Sequence, residues 1–213
     1  MQTYMCIPRL VLKKAVLDRE IYVISISSDL RGDSNHRPPA VGSNNETLDD
    51  VTPAIEAAMK LVVMGVSNIF YHVDKGQPVS LSGDGIIVYP PFDPQGMLGL
   101  HVAVVESDKK ARDFGKLLAD LFGRESVKSL LKAISTATTA AGPVPTVLLT
   151  SLMGAVVEAL PVVLQKNKDD ILFSHNHSGI AFNNYNGTPD GRKFTVGNKH
   201  VEMDLMVYAA PGA

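Results

Sequence analysis

The sequence predicts an α+β protein that is mainly β: an antiparallel β-sandwich of about seven or eight strands carrying an inserted two- or three-helix unit. Three observations carry that prediction. Short runs rich in Ile, Val, Leu and Tyr fill much of the first hundred residues and return near the C-terminus. Between them, over about sixty residues, apolar side chains recur at helical spacing. Strand and helix therefore occur in blocks, whereas a doubly wound fold would alternate them throughout. Residues 1–107 and 169–213 are expected to form the sandwich framework of a single domain spanning 1–213, with the helical insertion at 108–168.

Residues 7–17 and 20–27 read as two strands in hairpin order, and Tyr22, Ile24 and Ile26 alternate with Val23, Ser25 and Ser27. Residues 28–50 are dense in Asp, Asn, Ser, Gly and Pro and lack an apolar period, the composition of a long polar loop. Thr52-Pro53 opens a helix-like stretch whose β-branched tail, Leu61-Val62-Val63, fits a strand equally well. Three short apolar runs follow at 69–73, 85–89 and 98–106, separated by turn sequences such as Asp74-Lys75-Gly76 and Gly83-Asp84-Gly85. In the last run, Leu100, Val102 and Val104 share one face and His101, Ala103 and Val105 the other. Apolar residues on both faces place it near the middle of a sheet.

Past Ser107 the period changes. Phe114, Leu117, Leu118, Leu121 and Phe122 mark a first helix that Gly123 stops. Val127, Leu130, Leu131 and Ile134 mark a second, with Arg124, Lys128 and Lys132 on another face. After the break at Gly142-Pro143-Val144-Pro145, a third helix is expected over 146–164, apolar nearly all round. Strand character returns at 171–173, 180–182 and 200–208, with Asn186-Gly187 and Asp190-Gly191 as tight turns between.

Composition narrows the classes of function. The chain has 213 residues and a formal net charge of −2, so no global positive field favours nucleic acid or an anionic membrane surface. Lys109, Lys110, Arg112 and Lys116 lack interleaved aromatics and read as a solvated helix face. The single cysteine, Cys6, excludes an internal disulfide and a four-cysteine zinc site, and a small buried hydrophobe is its simplest role. No secretory or transit pattern opens the chain, so cytoplasm is the default expectation, with a signal-independent route of secretion left open. Phosphate-cradling glycine motifs and a GxSxG elbow are absent.

Two sets of residues offer metal chemistry. His175 and His177 stand at i and i+2, so on a strand both imidazoles point the same way and can share one ion, with His72, His200 or Asp204 as a third ligand. The competing reading is a pair of surface histidines in a polar turn. Asp29 and Asp33 in one predicted loop and Glu106 and Asp108 at a strand end form the second set. They are similar in arrangement to the loop carboxylates with which C2 domains, themselves β-sandwiches, bind Ca²⁺. Solvated turns and helix caps account for the same residues without an ion. The cofactor expectation is therefore Ca²⁺ or another divalent metal.

Residues 133–165 contain one charged side chain, Glu158, where the chain average would put about six or seven. Residues 146–164 are long enough to cross a hydrocarbon core. Their five Leu and five Val favour insertion by about 0.3–0.6 kcal/mol each. Glu158 and Pro161 oppose it. Burial inside a soluble fold fits this stretch as well. The leading expectation of function is a non-enzymatic binding or interaction module, with a homo-oligomer or another protein as partner. Its rivals are a membrane-active protein using residues 133–164 and a metal-dependent hydrolase using His175 and His177.

Overall fold

The structure, a computed structural model, describes residues 2–13, 20–28, 62–67, 70, 73–81, 83–92, 97–107, 114–139, 146–180 and 192–210. Among them are strands β1 (Gln2–Leu12), β2 (Glu20–Ser28), β3 (Val63–Val66), β4 (Ile86–Phe92), β5 (Met97–Ser107), β6 (Asp169–Ile180), β7 (Arg192–Gly197) and β8 (Val201–Ala210). Three helices are described, α1 (Phe114–Phe122), α2 (Glu125–Thr139) and α3 (Thr146–Lys166). The strands form two antiparallel four-stranded sheets, ordered β4-β1-β8-β7 and β3-β2-β5-β6. The mainly β fold with a helical block between β5 and β6 is thus the one expected.

The two sheets pack face to face. Met5, Ile7, Leu10 and Leu12 of β1 and Val201, Met203, Leu205 and Val207 of β8 share one core with Val23, Val102, Val104 and Phe173 of the second sheet. The opposite face of that second sheet carries Tyr22, Ile24, Ile26, Ala103 and Val105, and these pack under all three helices. The molecule is therefore built in three layers, sheet, sheet and helices. The central sheet is buried on both faces, which is why every residue of β2 is buried and why β5 is apolar on both faces.

The helices bury the stripes that their spacing marks: Leu117, Leu118, Leu121 and Phe122 in α1, and Val127, Leu131 and Ile134 in α2. In α3, Leu149, Leu152, Ala155, Val156, Ala159, Leu160, Val163 and Leu164 form the buried face. Thr150, Ser151, Gly154, Glu158 and Gln165 take the outer face, so the chain's own sheet covers one side of the charge-poor segment. After α3, Lys168 adopts a left-handed conformation (φ 62°) and turns the chain into β6.

Several local expectations change. β1 and β2 are not a hairpin: β1 pairs with β4 and β8 in one sheet, and β2 with β3 and β5 in the other. Each is an inner strand of its own sheet, a demand that their short separation in sequence does not express. Where strands were expected at 171–173 and 180–182, β6 runs unbroken from Asp169 to Ile180. Of the run expected at 69–73, Phe70 bridges to β2, exchanging backbone hydrogen bonds of 2.8 and 3.0 Å with Ile21. β7 was not expected at all. Ser28, expected to open the loop at 28–50, closes β2, and Val63, in the tail that fitted helix or strand, opens β3; the rest of that loop, residues 53–61 of the expected helix and the turns at 183–191 lie outside the described residues.

Candidate functional site

β6 is the outer strand of the central sheet and β7 the outer strand of the other, and the two margins meet. Antiparallel register places Val104 opposite Phe173, Val102 opposite His175 and Leu100 opposite His177. These three residues of β6 therefore face the space between the sheets, whereas Ser174 and Asn176 face the helical layer. A β-bulge at Leu172 sets this phase: Val105 pairs with Ile171 and Val104 with Phe173, leaving Leu172 without a partner across the ladder. Asn198, in the turn between β7 and β8, donates its side-chain amide to the Leu172 carbonyl at 2.8 Å and so ties the two margins together.

The result is a row of rings. Phe173 and His175 lie with centroids 6.4 Å apart and planes within 6°. His175 and His177 are 6.2 Å apart, and His177 is 5.0 Å from Phe194 of β7. Both imidazoles are half-buried, and burial lowers the pKa of His175 below its ordinary value. Across the sheet, the register continues the His175 row to Val102 and Ser25, and the His177 row to Leu100 and Ser27. The Ser27 hydroxyl is fully buried with no hydrogen-bond partner, an unusual polar cost inside a sandwich. This end of the inter-sheet space is thus more polar than the end lined by Ile21, Val23 and Val104.

The triplet His175-Asn176-His177 serves two faces. Asn176 reaches the helix side, where its Oδ1 lies 2.6 Å from Nδ1 of His101, so the imidazole donates from Nδ1. His101 is buried, and its pKa is lowered chiefly by that burial; the bond to Asn176 acts in the opposite direction. Sequence reasoning assigned His101 no chemical part, although its place opposite Leu100 and Val102 in the alternation marked it as covered.

Of the other expected ligands, Asp204, His200 and Glu106 are described. Asp204 lies on the outer face of the first sheet, hydrogen-bonded to Thr195 at 2.8 Å and paired with Lys193 at 2.8 Å, so it belongs to a surface network and does not reach the histidine pair. His200 sits in the β7–β8 turn, with its backbone amide donated to Asn198 Oδ1. His72, Asp29, Asp33 and Asp108 lie outside the described residues. Glu106 pairs with Ile21 near the start of β2, while Ser28, the residue before Asp29, pairs with Gly99 at the other end. Gly99 and Glu106 lie seven residue steps apart along β5, about 23 Å at 3.3 Å per residue. Glu106 therefore does not stand where the chain leaves β2 toward Asp29. Among the described residues, no three His, Cys, Asp or Glu side chains are grouped so as to hold a metal ion.

Fold and margin together define a class, a three-layer β-sandwich with an α layer and an imidazole-lined edge. No family model matches the chain, and no curated protein or solved structure matches it.

Proposed function

We propose that the protein is a non-enzymatic binding module whose ligand surface is the margin between β6 and β7. The observation that carries this reading is the ring row of His175, His177 and Phe194, held half-buried at an edge braced by the Asn198 bond to Leu172. Aromatic and imidazole rings offer apolar contact area, hydrogen bonding and metal ligation from one rigid surface. Strand positions also hold such groups more firmly than loop tips do. A fragment screen read by amide chemical shifts tests it. Shifts clustering on residues 173–177 and 192–198 support the reading; shifts confined to other elements overturn it. Turnover of nitrophenyl esters or phosphoesters that is lost in His177→Ala would also overturn it, in favour of a hydrolase.

A second reading draws on α3. Val147–Lys166 is long and apolar enough to cross a membrane, and Val147 and Val162 are 69% and 49% exposed on its outer face. Membrane engagement through this helix would give up the packing of Leu152, Leu160 and Leu164 on the central sheet, about 1.5–3 kcal/mol for each side chain. Flotation with liposomes at neutral and acid pH separates the readings, since an interaction module with a buried α3 stays at the bottom of the gradient.

A further inference from the structure

We propose that His175 and His177 form a binding site for a divalent late transition metal ion, Zn²⁺, Ni²⁺ or Cu²⁺, at the β6–β7 margin. This rests on the reading of that margin as the ligand surface and names the chemistry it takes. The geometry is the main argument. Two imidazole nitrogens bound to one ion at about 2.0–2.1 Å place their ring centres about 5–6 Å apart, and the observed separation is 6.2 Å. The observed spacing lies at the wide end of that range, so binding draws the two rings together. The i and i+2 spacing puts both rings on one face of β6, and the register with Leu100 and Val102 fixes which face.

The surroundings restrict the rings further. Phe173 stacks beside His175, and Phe194 tilts against His177 at 56°, so each imidazole is flanked by an aromatic ring. Imidazole nitrogen selects Zn²⁺, Ni²⁺ and Cu²⁺ over Ca²⁺ and Mg²⁺, which require oxygen donors. With two protein ligands, the ion's remaining positions go to water or to a donor from a bound molecule, which is the arrangement of an exchangeable site and not of a closed structural one.

The test uses the full chain after treatment with chelator and dialysis. Zn²⁺ is titrated while the ring ¹⁵N signals of histidine are followed, and thermal unfolding is measured with Zn²⁺, Ni²⁺, Cu²⁺ and Ca²⁺ in turn. The expected result is a saturable shift of the His175 and His177 ring nitrogens and a melting temperature that rises with each transition metal but not with Ca²⁺. His177→Ala and His175→Ala should each weaken Zn²⁺ by about tenfold or more, because loss of even an outer-shell partner costs 10–100-fold, while His200→Ala leaves affinity unchanged. Ring nitrogens that do not shift in the unaltered protein overturn the proposal, whatever the variants do. So does stabilisation that survives in both His175→Ala and His177→Ala. If metal fails while fragments still map to β6 and β7, the binding surface stands and its metal chemistry falls; if metal binds at His175 and His177 but no fragment does, the site is a metal site alone.

Discussion

Cys6 is fully buried in β1, and burial, with the charge of Asp84 adding to it, pushes its thiol up to about 11. Thiolate is the reactive form, so the native protein should be inert toward Ellman's reagent and react with one equivalent only once unfolded in denaturant. Rapid native labelling would contradict the placement. Asp204 shows the opposite balance. Burial alone would raise its carboxyl, but hydrogen bonds from Lys193 and Thr195 and the charges of Lys193 and Arg9 outweigh that effect and lower its pKa. A lowered folded-state pKa contributes stability above the unfolded value of about 3.9, and that contribution is lost as pH falls through the folded value. Asp204→Asn should therefore lower the urea midpoint at pH 7, and its gap to the unaltered protein should narrow toward pH 3. A gap independent of pH would remove the ion pairs from the account. At this scale the sequence identified chemistry by type but not by partner. Asp204 read as a possible third metal ligand, and nothing in its neighbourhood announced Lys193 and Thr195 across the β7–β8 ladder.

α3 carries the composition that looked most ambiguous, and its two faces should now respond differently. Leu160→Ala removes a fully buried side chain from the core on the central sheet and should cost about 2–5 kcal/mol. Val162→Ser lies on the exposed face and should change stability by less than about 0.5 kcal/mol. Equal effects in chemical denaturation would mean the helix is not packed as described. The helical period of residues 114–134 was legible because one stripe is apolar and the other is not. α3 was harder to orient, since its outer face uses small residues, Ser151 and Gly154, where charge would have shown direction. β6 was hidden for a related reason. Its centre, Ser174-His175-Asn176-His177, reads as a polar turn, but an edge strand at the margin of a sandwich accommodates polar side chains on both faces. β7 alternates Lys193 and Thr195 with Phe194 and Val196, a signal too short to stand out beside the turn residues before it.

The central sheet belongs to two cores at once, with Val23, Val102 and Val104 on one side and Tyr22, Ile24 and Val105 on the other. Neither outer layer can separate without exposing apolar surface on the sheet that both share. Thermal unfolding followed by far-ultraviolet circular dichroism, dominated by the helices, should therefore coincide with tyrosine fluorescence, to which Tyr4, Tyr22, Tyr89 and Tyr208 of the strands contribute. Two separated transitions would show that the layers fold independently. The order of blocks made the class of fold legible in the sequence. The pairing of sheets was not, because partners such as Leu10 and Met203 are far apart in the chain and only their shared burial unites them.

Ser107 and Asp169, the residues on either side of the helical block, are direct partners in the β5–β6 ladder. Paired strand residues stand only about 5 Å apart, so the whole α layer leaves and re-enters the sheet through one narrow gate, as an enlarged hairpin loop does. Topologically the eight strands are complete without it, yet chemically they are not, because Tyr22, Ile24 and Ile26 need its cover. A chain cut between α2 and α3 into two polypeptides should thus reassemble when the halves are coexpressed, whereas a short Gly-Ser bridge from Ser107 to Asp169 should give a sandwich that connects correctly but precipitates through its uncovered side.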